Sequence, residues 1–138
     1  MSADIKKIDH VGIAVRSVDE SCRFYEETLG LKLLSKETVP QEKVRIAIFA
    51  VGDSHIELLE PIAPESSIAK FLEKRGEGIH HLALSCDDVK AATEHYKLKG
   101  ASLIYPEPEE IEDSRIINFI HPKSTGGVLI ELIKRLKE

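Results

Sequence analysis

Four residues of this 138-residue chain have the types and spacing to do chemistry together: His10, Glu57, His81 and Glu131. Glu131 sits in Gly126-Gly127-Val128-Leu129-Ile130-Glu131-Leu132-Ile133, an apolar run that reads as a buried strand. A buried carboxylate is costly without a proton, a cation or a metal beside it. Glu57 sits in a matching run, Ile56-Glu57-Leu58-Leu59, and Ile8-Asp9-His10 has an echo in Ile79-His80-His81. Two neutral imidazoles and two carboxylates suit a borderline divalent ion, and the residue types alone do not choose which one. On an octahedral ion four protein ligands leave two positions for water or substrate oxygens, which suits catalysis more than structure.

The elements that must position these groups form an internal repeat. A shift of 71 residues lays Ile8 on Ile79, His10 on His81, Val18 on Val89 and Tyr25 on Tyr96. A shift of 74 lays Ile56-Glu57-Leu58 on Ile130-Glu131-Leu132. Each half reads as βαβββ, with a His on its first strand and a Glu on its last. The expectation is one α+β domain over 1–138, with modules at 5–61 and 78–136 and a connecting helical segment at 62–77. Modules related by an approximate two-fold axis would bring the four side chains to one ion.

Period-two alternation makes 8–15 a strand with His10, Gly12 and Ala14 on one face. Ser17 and Glu20 fit a capping box that opens a helix running to about Leu29, closed by Gly30. Strands are expected at 31–35, 44–51 and 54–60, with a turn at 40–43. Ser66 and Ser67 open the connecting helix, and Gly76 stops it. The second half reads as a strand at 79–86 and a helix capped by Asp87-Asp88, then strands at 101–105, 115–120 and 128–133. The acidic, proline-containing segment 106–114 reads as an exposed loop. His80 points away from His81, His55 shares the face of Glu57, His95 is solvated on a helix, and Glu60 is exposed opposite Glu57.

Composition narrows the function classes. The 42% hydrophobic and 31% charged fractions are those of an ordinary globular protein. A net charge of −5 argues against nucleic acid as a partner, without excluding a local basic pocket for a phosphorylated small molecule. Cys22 and Cys86 lack metal-type spacing and read as a reduced cytosolic pair. The stretch Ala3-Asp4-Ile5-Lys6-Lys7 is too polar for a signal-peptide core, and no apolar run reaches membrane-spanning length. A cytoplasmic protein without nucleic-acid or membrane partners is expected.

At the repeated residues the chain resembles the vicinal oxygen chelate superfamily and, within it, the methylmalonyl-CoA epimerase family. The likeness is carried by IDHVGIAV, by the GD..IELLEP stretch at 52–61, by SSIAKFLEKRGEGIHHLAL at 66–84 and by FIHPKSTGGVLIEL at 119–132. It implies paired βαβββ modules around a cupped mixed sheet, and a homodimer. It implies a divalent metal such as cobalt, with zinc, nickel or manganese as alternatives, held by His10, Glu57, His81 and Glu131. The implied reaction moves a proton at C2 of methylmalonyl-CoA, an acyl-CoA thioester, through a stabilised enolate, with Glu131 as the base. A second catalytic glutamate of some members falls at Ile46 here, so Glu42 or a metal-bound water would have to take that role, or a different mechanism operates. Arg115, Lys123 and Ser124 flank the cup and are the candidates for binding a substrate carboxylate or phosphate. The family's glycine-rich loop before the HPKSTGG turn is replaced by the acidic Glu109–Ser114. A glyoxalase-like isomerase acting on a thiol adduct uses the same logic. A metal-free ligand-sequestering protein of this fold would not need both His and both Glu.

Overall fold

The computed structural model describes residues 3–136. They divide into two compact units, the first spanning residues 10–80, the second formed by the residues up to 9 and those from 81 onward.

The first unit holds most of β1 (Ile5–Ala14), then α1 (Val18–Arg23), which continues as a π-helical turn over Phe24–Thr28. It adds β2 (Lys32–Val39), β3 (Val44–Val51), β4 (Ser54–Pro61) and α2 (Ser67–Arg75). The strand order is β2-β3-β4-β1, with β1 and β4 parallel and the other pairs antiparallel. Val15, Val18, Cys22, Ala47, Phe49 and Leu58 form the core where α1 packs on one sheet face. By alternation, His10, Gly12, Ile46, Ile48, His55 and Glu57 occupy the other face.

The Ser17 hydroxyl caps α1 as its sequence predicts, accepting from the Glu20 N–H at 3.2 Å. Glu60 departs from its expected exposure. It is half-buried, and its carboxylate accepts from the Val18 N–H at 2.8 Å. An open helix N-terminus carries unpaired N–H groups and partial positive charge, so a carboxylate from β4 is drawn there. Strand β2 runs four residues beyond the expected Ser35, because its pairing with β3 continues from Lys32↔Ala50 to Val39↔Val44.

The second unit contains β5 (Gly78–Cys86) from His81, α3 (Val89–Leu98), β6 (Glu109–Ile111), β7 (Arg115–Ile120), a 3-10 turn at Pro122–Ser124 and β8 (Ile130–Arg135). The order is β5-β8-β7-β6, with β5 and β8 parallel. Cys86, Val89, Ala92 and Leu132 form its helix-covered core. The start of β1 is fastened here. Tyr96 donates to the Ala3 carbonyl at 3.0 Å, and Asp9 pairs with Arg135.

Two expectations fail in this unit. The strand at 101–105 is absent; only Leu103 pairs, in an isolated bridge to Ile120. Buried Asn118 takes over the pairing, accepting from the Tyr105 N–H and donating to the Tyr105 carbonyl, both at 3.1 Å. Pro106 and Pro108 lack the N–H groups a continuous ladder needs. The segment 106–114 is in turn not a plain exposed loop. It contains β6, with Ile111 buried and the carboxylates of Glu109 and Glu110 outward. The hairpin closes through the Ser114 N–H to the Ile111 carbonyl at 2.9 Å, with Glu112 and Asp113 at φ 50 and 56. Two successive positive φ values mark a type I′ turn, built here without glycine or asparagine.

Candidate active site

In the first unit, parallel register places Gly12 beside Glu57 and His10 beside His55. His10 and Glu57 therefore lie one diagonal step apart on the same sheet face. His10 Nδ1 lies 3.2 Å from Glu57 Oε2, and both residues are buried, at 2% and 6% exposure. Gly12 offers no side chain to fill the face opposite Glu57. Ile48 pairs with Glu57 from β3, so the pair's next neighbour on that side is apolar.

The second unit repeats the construction. Ala83 pairs with Glu131, and His81 stands two residues earlier, the same diagonal step. His81 Nε2 lies 3.0 Å from Glu131 Oε1, at 6% and 4% exposure. Phe119 pairs with Glu131 from β7 and packs its ring edge-on to His81 at 6.2 Å. Tyr105 meets Phe119 edge to face in turn, with ring centroids 5.9 Å apart. Each unit thus buries a histidine against a carboxylate, a donor set suited to a divalent cation or to proton transfer.

Arg115 lies on the Glu131 face of β7, four residues before Phe119 and cross-strand from Arg135. It is buried at 9% exposure, with Nη1 3.3 Å from Ser114 Oγ. Arg135 meets Asp9 through two hydrogen bonds, at 2.7 and 3.1 Å. The sequence reading missed Asp9 and Arg135, which are far apart in the chain. The available signal was an aspartate inside a strand, needing a partner as much as Glu131 does.

Glu42 is half-buried in the β2–β3 turn, two residues before β3 begins. Ile48 pairs with Glu57, and Val44 is already four residues from Ile48, about 13 Å along a strand. The fold does not bring Glu42 to the ladder level of Glu57; Ile46, one alternation from Ile48, stands nearer. Lys123 and Ser124 lie in the 3-10 turn, where the Ser124 hydroxyl accepts from the Ser102 N–H at 2.9 Å. Cys22 and Cys86 are both unpaired thiols, and burial pushes each above the ordinary thiol range. Among the described residues no helix is long and apolar enough to cross a membrane.

The profile of the Glyoxalase/Bleomycin resistance protein/Dioxygenase superfamily matches residues 7–132. The chain belongs to this superfamily. Within the superfamily the proteins it is similar to include methylmalonyl-CoA epimerases. The ethylmalonyl-CoA/methylmalonyl-CoA epimerase of Cereibacter sphaeroides is 34% identical, over 93% of this chain and 97% of its own. The crystal structure of methylmalonyl-CoA epimerase from Mycobacterium tuberculosis is 40% identical, with a TM-score of 0.88, covering 94% of this chain and 87% of its own. A Streptomyces coelicolor methylmalonyl-CoA epimerase variant, in complex with 2-nitronate-propionyl-CoA, is 35% identical with a TM-score of 0.90, covering 97% and 100%. The α+β glyoxalase fold that the family resemblance implies is the fold these relatives share, and the epimerase resemblance holds across nearly the whole chain.

Proposed function

We propose that this chain interconverts the (2R) and (2S) forms of methylmalonyl-CoA by moving the proton at C2. The observation that carries this reading is the doubled His–Glu pair, built at the same strand register in both units, in a chain whose relatives include methylmalonyl-CoA epimerases. His10, Glu57, His81 and Glu131 fit a divalent cation by donor type and burial, and we assign all four to one ion, with cobalt first and zinc, nickel or manganese behind it. Such an ion, when bound, supplies Lewis acidity that favours charge on the thioester oxygen.

The chain's own groups do the rest. Glu131 takes the C2 proton, and carboxylate is the right base for a site that must also release it. His81 holds Glu131 in place, while Phe119 and Tyr105 wall that pair on one side and limit water around the carboxylate. Arg115 faces the substrate carboxylate, with a planar fork suited to it. Glu42 remains the assigned carrier for the proton's return, and its distance along β3 makes it the weaker of the two acid–base assignments. We assign the working form to a homodimer in the cytoplasm.

The test is incubation of metal-loaded protein with (2R)-methylmalonyl-CoA in deuterated water, following stereochemistry and label at C2. Racemisation with deuterium uptake is expected. A fully metal-loaded protein that does neither removes the proposal, and turnover of a hemithioacetal instead points to the glyoxalase-like reading.

A further inference from the structure

Asn118 sits on the helix-covered side of β7, level with Leu132, while Phe119 lies on the other side, level with Glu131. The Asn118 side chain is fully buried. Its Oδ1 accepts from the Tyr105 N–H at 3.1 Å and from the Phe119 N–H at 2.8 Å. Its Nδ2 donates to the Tyr105 carbonyl at 3.1 Å and to Thr93 Oγ1 on α3 at 3.0 Å. Both acceptor sites and both donors of the amide are therefore used, which fixes its orientation and the two residues it holds. Two further constraints act on the same segment. The Ile104 N–H donates to the Phe119 carbonyl at 2.8 Å, and Pro106 confines Tyr105 to extended backbone.

From that anchor the contacts run ring to ring. Tyr105 meets Phe119 with centroids 5.9 Å apart and planes at 78°. Phe119 meets His81 at 6.2 Å and 89°. His81 Nε2 in turn lies 3.0 Å from Glu131 Oε1. The last torsion of a histidine side chain is soft, so the strand backbone alone does not set the plane of the imidazole. The packed neighbour does. The first unit has Ala47 and Ile48 at the equivalent places, so it has neither the amide anchor nor the ring.

We propose that Asn118, Tyr105 and Phe119 form a positioning relay for the His81 imidazole. Asn118 fixes Tyr105, Tyr105 backs Phe119, and Phe119 sets the plane in which His81 presents its nitrogens. The proposal rests on the metal-site reading for what His81 does, but not for how its ring is held. Asn118 and Tyr105 are positioning residues, acting on the site only through Phe119. The broken strand at 101–105 then has a use: a side chain replaces the ladder where Tyr105 must turn its ring onto Phe119.

The experiment follows the imidazole resonances of His81 by NMR in the metal-free full chain, and cobalt affinity by competition with a chelator. Tyr105→Leu removes the outer ring and keeps both backbone bonds to Asn118. It should move the His81 resonances, leave those of exposed His95 in place, and weaken cobalt binding about three- to tenfold, the scale of one lost edge-to-face contact. Tyr105→Phe keeps the ring and should match the wild type in both readouts. Thr93→Val removes a different bond of the same amide and should lower stability in urea without moving either readout. Asn118→Ala should displace the same resonances as Tyr105→Leu, and Tyr105→Leu carries the test where Asn118→Ala does not fold. His81 resonances that stay in place in folded Tyr105→Leu, or that move as far in Thr93→Val or Tyr105→Phe, overturn the relay. Displaced resonances in Tyr105→Leu, with a wild type that binds no cobalt, keep the relay and remove the metal reading. A wild type that binds cobalt and racemises methylmalonyl-CoA, with Tyr105→Leu unchanged in both readouts, does the reverse.

Discussion

The two units keep one feature in common and diverge in almost everything around it. Both set a buried histidine one diagonal step from a buried glutamate across a parallel strand pair. In the first unit the residue opposite the glutamate is Ile48; at the repeat-equivalent place in the second it is Phe119, edge-on to the histidine. The first unit pairs β2 with β3 along its whole length, and Ala47 sits in the core. The second breaks the corresponding strand, and Asn118, at the position of Ala47, bonds Thr93 and the backbone of Tyr105. The second unit places two arginines, Arg115 and Arg135, on the same face of the ladder as its glutamate, whereas Arg45 of the first unit lies on the face of β3 opposite Glu57. The common register is what the proposed function asks of both halves, which is to present a ligand pair. Under the proposed function, the divergence is where one half would in addition meet the substrate.

The sharpest way to break that comparison is to remove each glutamate's charge. Glu131→Gln should lower kcat by about a thousandfold or more, the scale of a lost general base, with thermal stability little changed. Glu57→Gln should weaken metal retention yet leave measurable turnover when metal is added in excess. Equal losses of kcat in metal-saturated variants would mean that the two pairs share the proton work.

Next in size is the scaffold difference. Asn118→Ala should destabilise the fold by about 2–3 kcal/mol in urea unfolding, because the buried Thr93 hydroxyl and the half-buried backbone of Tyr105 lose their bonds to Asn118. A trim on the other side, Leu33→Ala on β2, touches the first unit's core and should leave the amide exchange of Tyr105, which reports on its bond to Asn118, unchanged. A smaller and opposite effect is expected at the β6–β7 turn. Replacing Glu112 and Asp113 with Asn and Gly should raise stability by about 1 kcal/mol, since those residues accept positive φ more readily. Smallest of all, Glu42→Gln should change epimerisation by less than about threefold if distance along β3 is decisive. A loss of epimerisation with continued C2 exchange would instead establish Glu42 as the group that returns the proton.

Much of the site was legible in the sequence because its signal is local and repeated. An apolar run with one carboxylate, met twice, and a strand with one inward histidine, met twice, are patterns of period two. The cap at Ser17, the helix stop at Gly76 and the capping Asp88 were legible for the same reason, since each is decided within a few residues. What failed depends on distant partners. Glu60 reads as exposed until the N-terminus of α1 is known to lie beside it. The strand β6 is masked because Glu109 and Glu110 are acidic, and only buried Ile111 reveals it. Asn118 gave no sign that a side chain would replace a strand ladder. Asp9 and Arg135 join the two ends of the described chain, a pairing no local pattern encodes.

The central claim is that the two His–Glu pairs are halves of one metal site. Metal content per chain, measured by mass spectrometry after gel filtration of cobalt-loaded protein, tests it most directly. The account predicts one ion per chain, lost in His10→Ala and lost equally in His81→Ala. Two ions per chain, or one ion retained in either variant with its affinity intact, would contradict it.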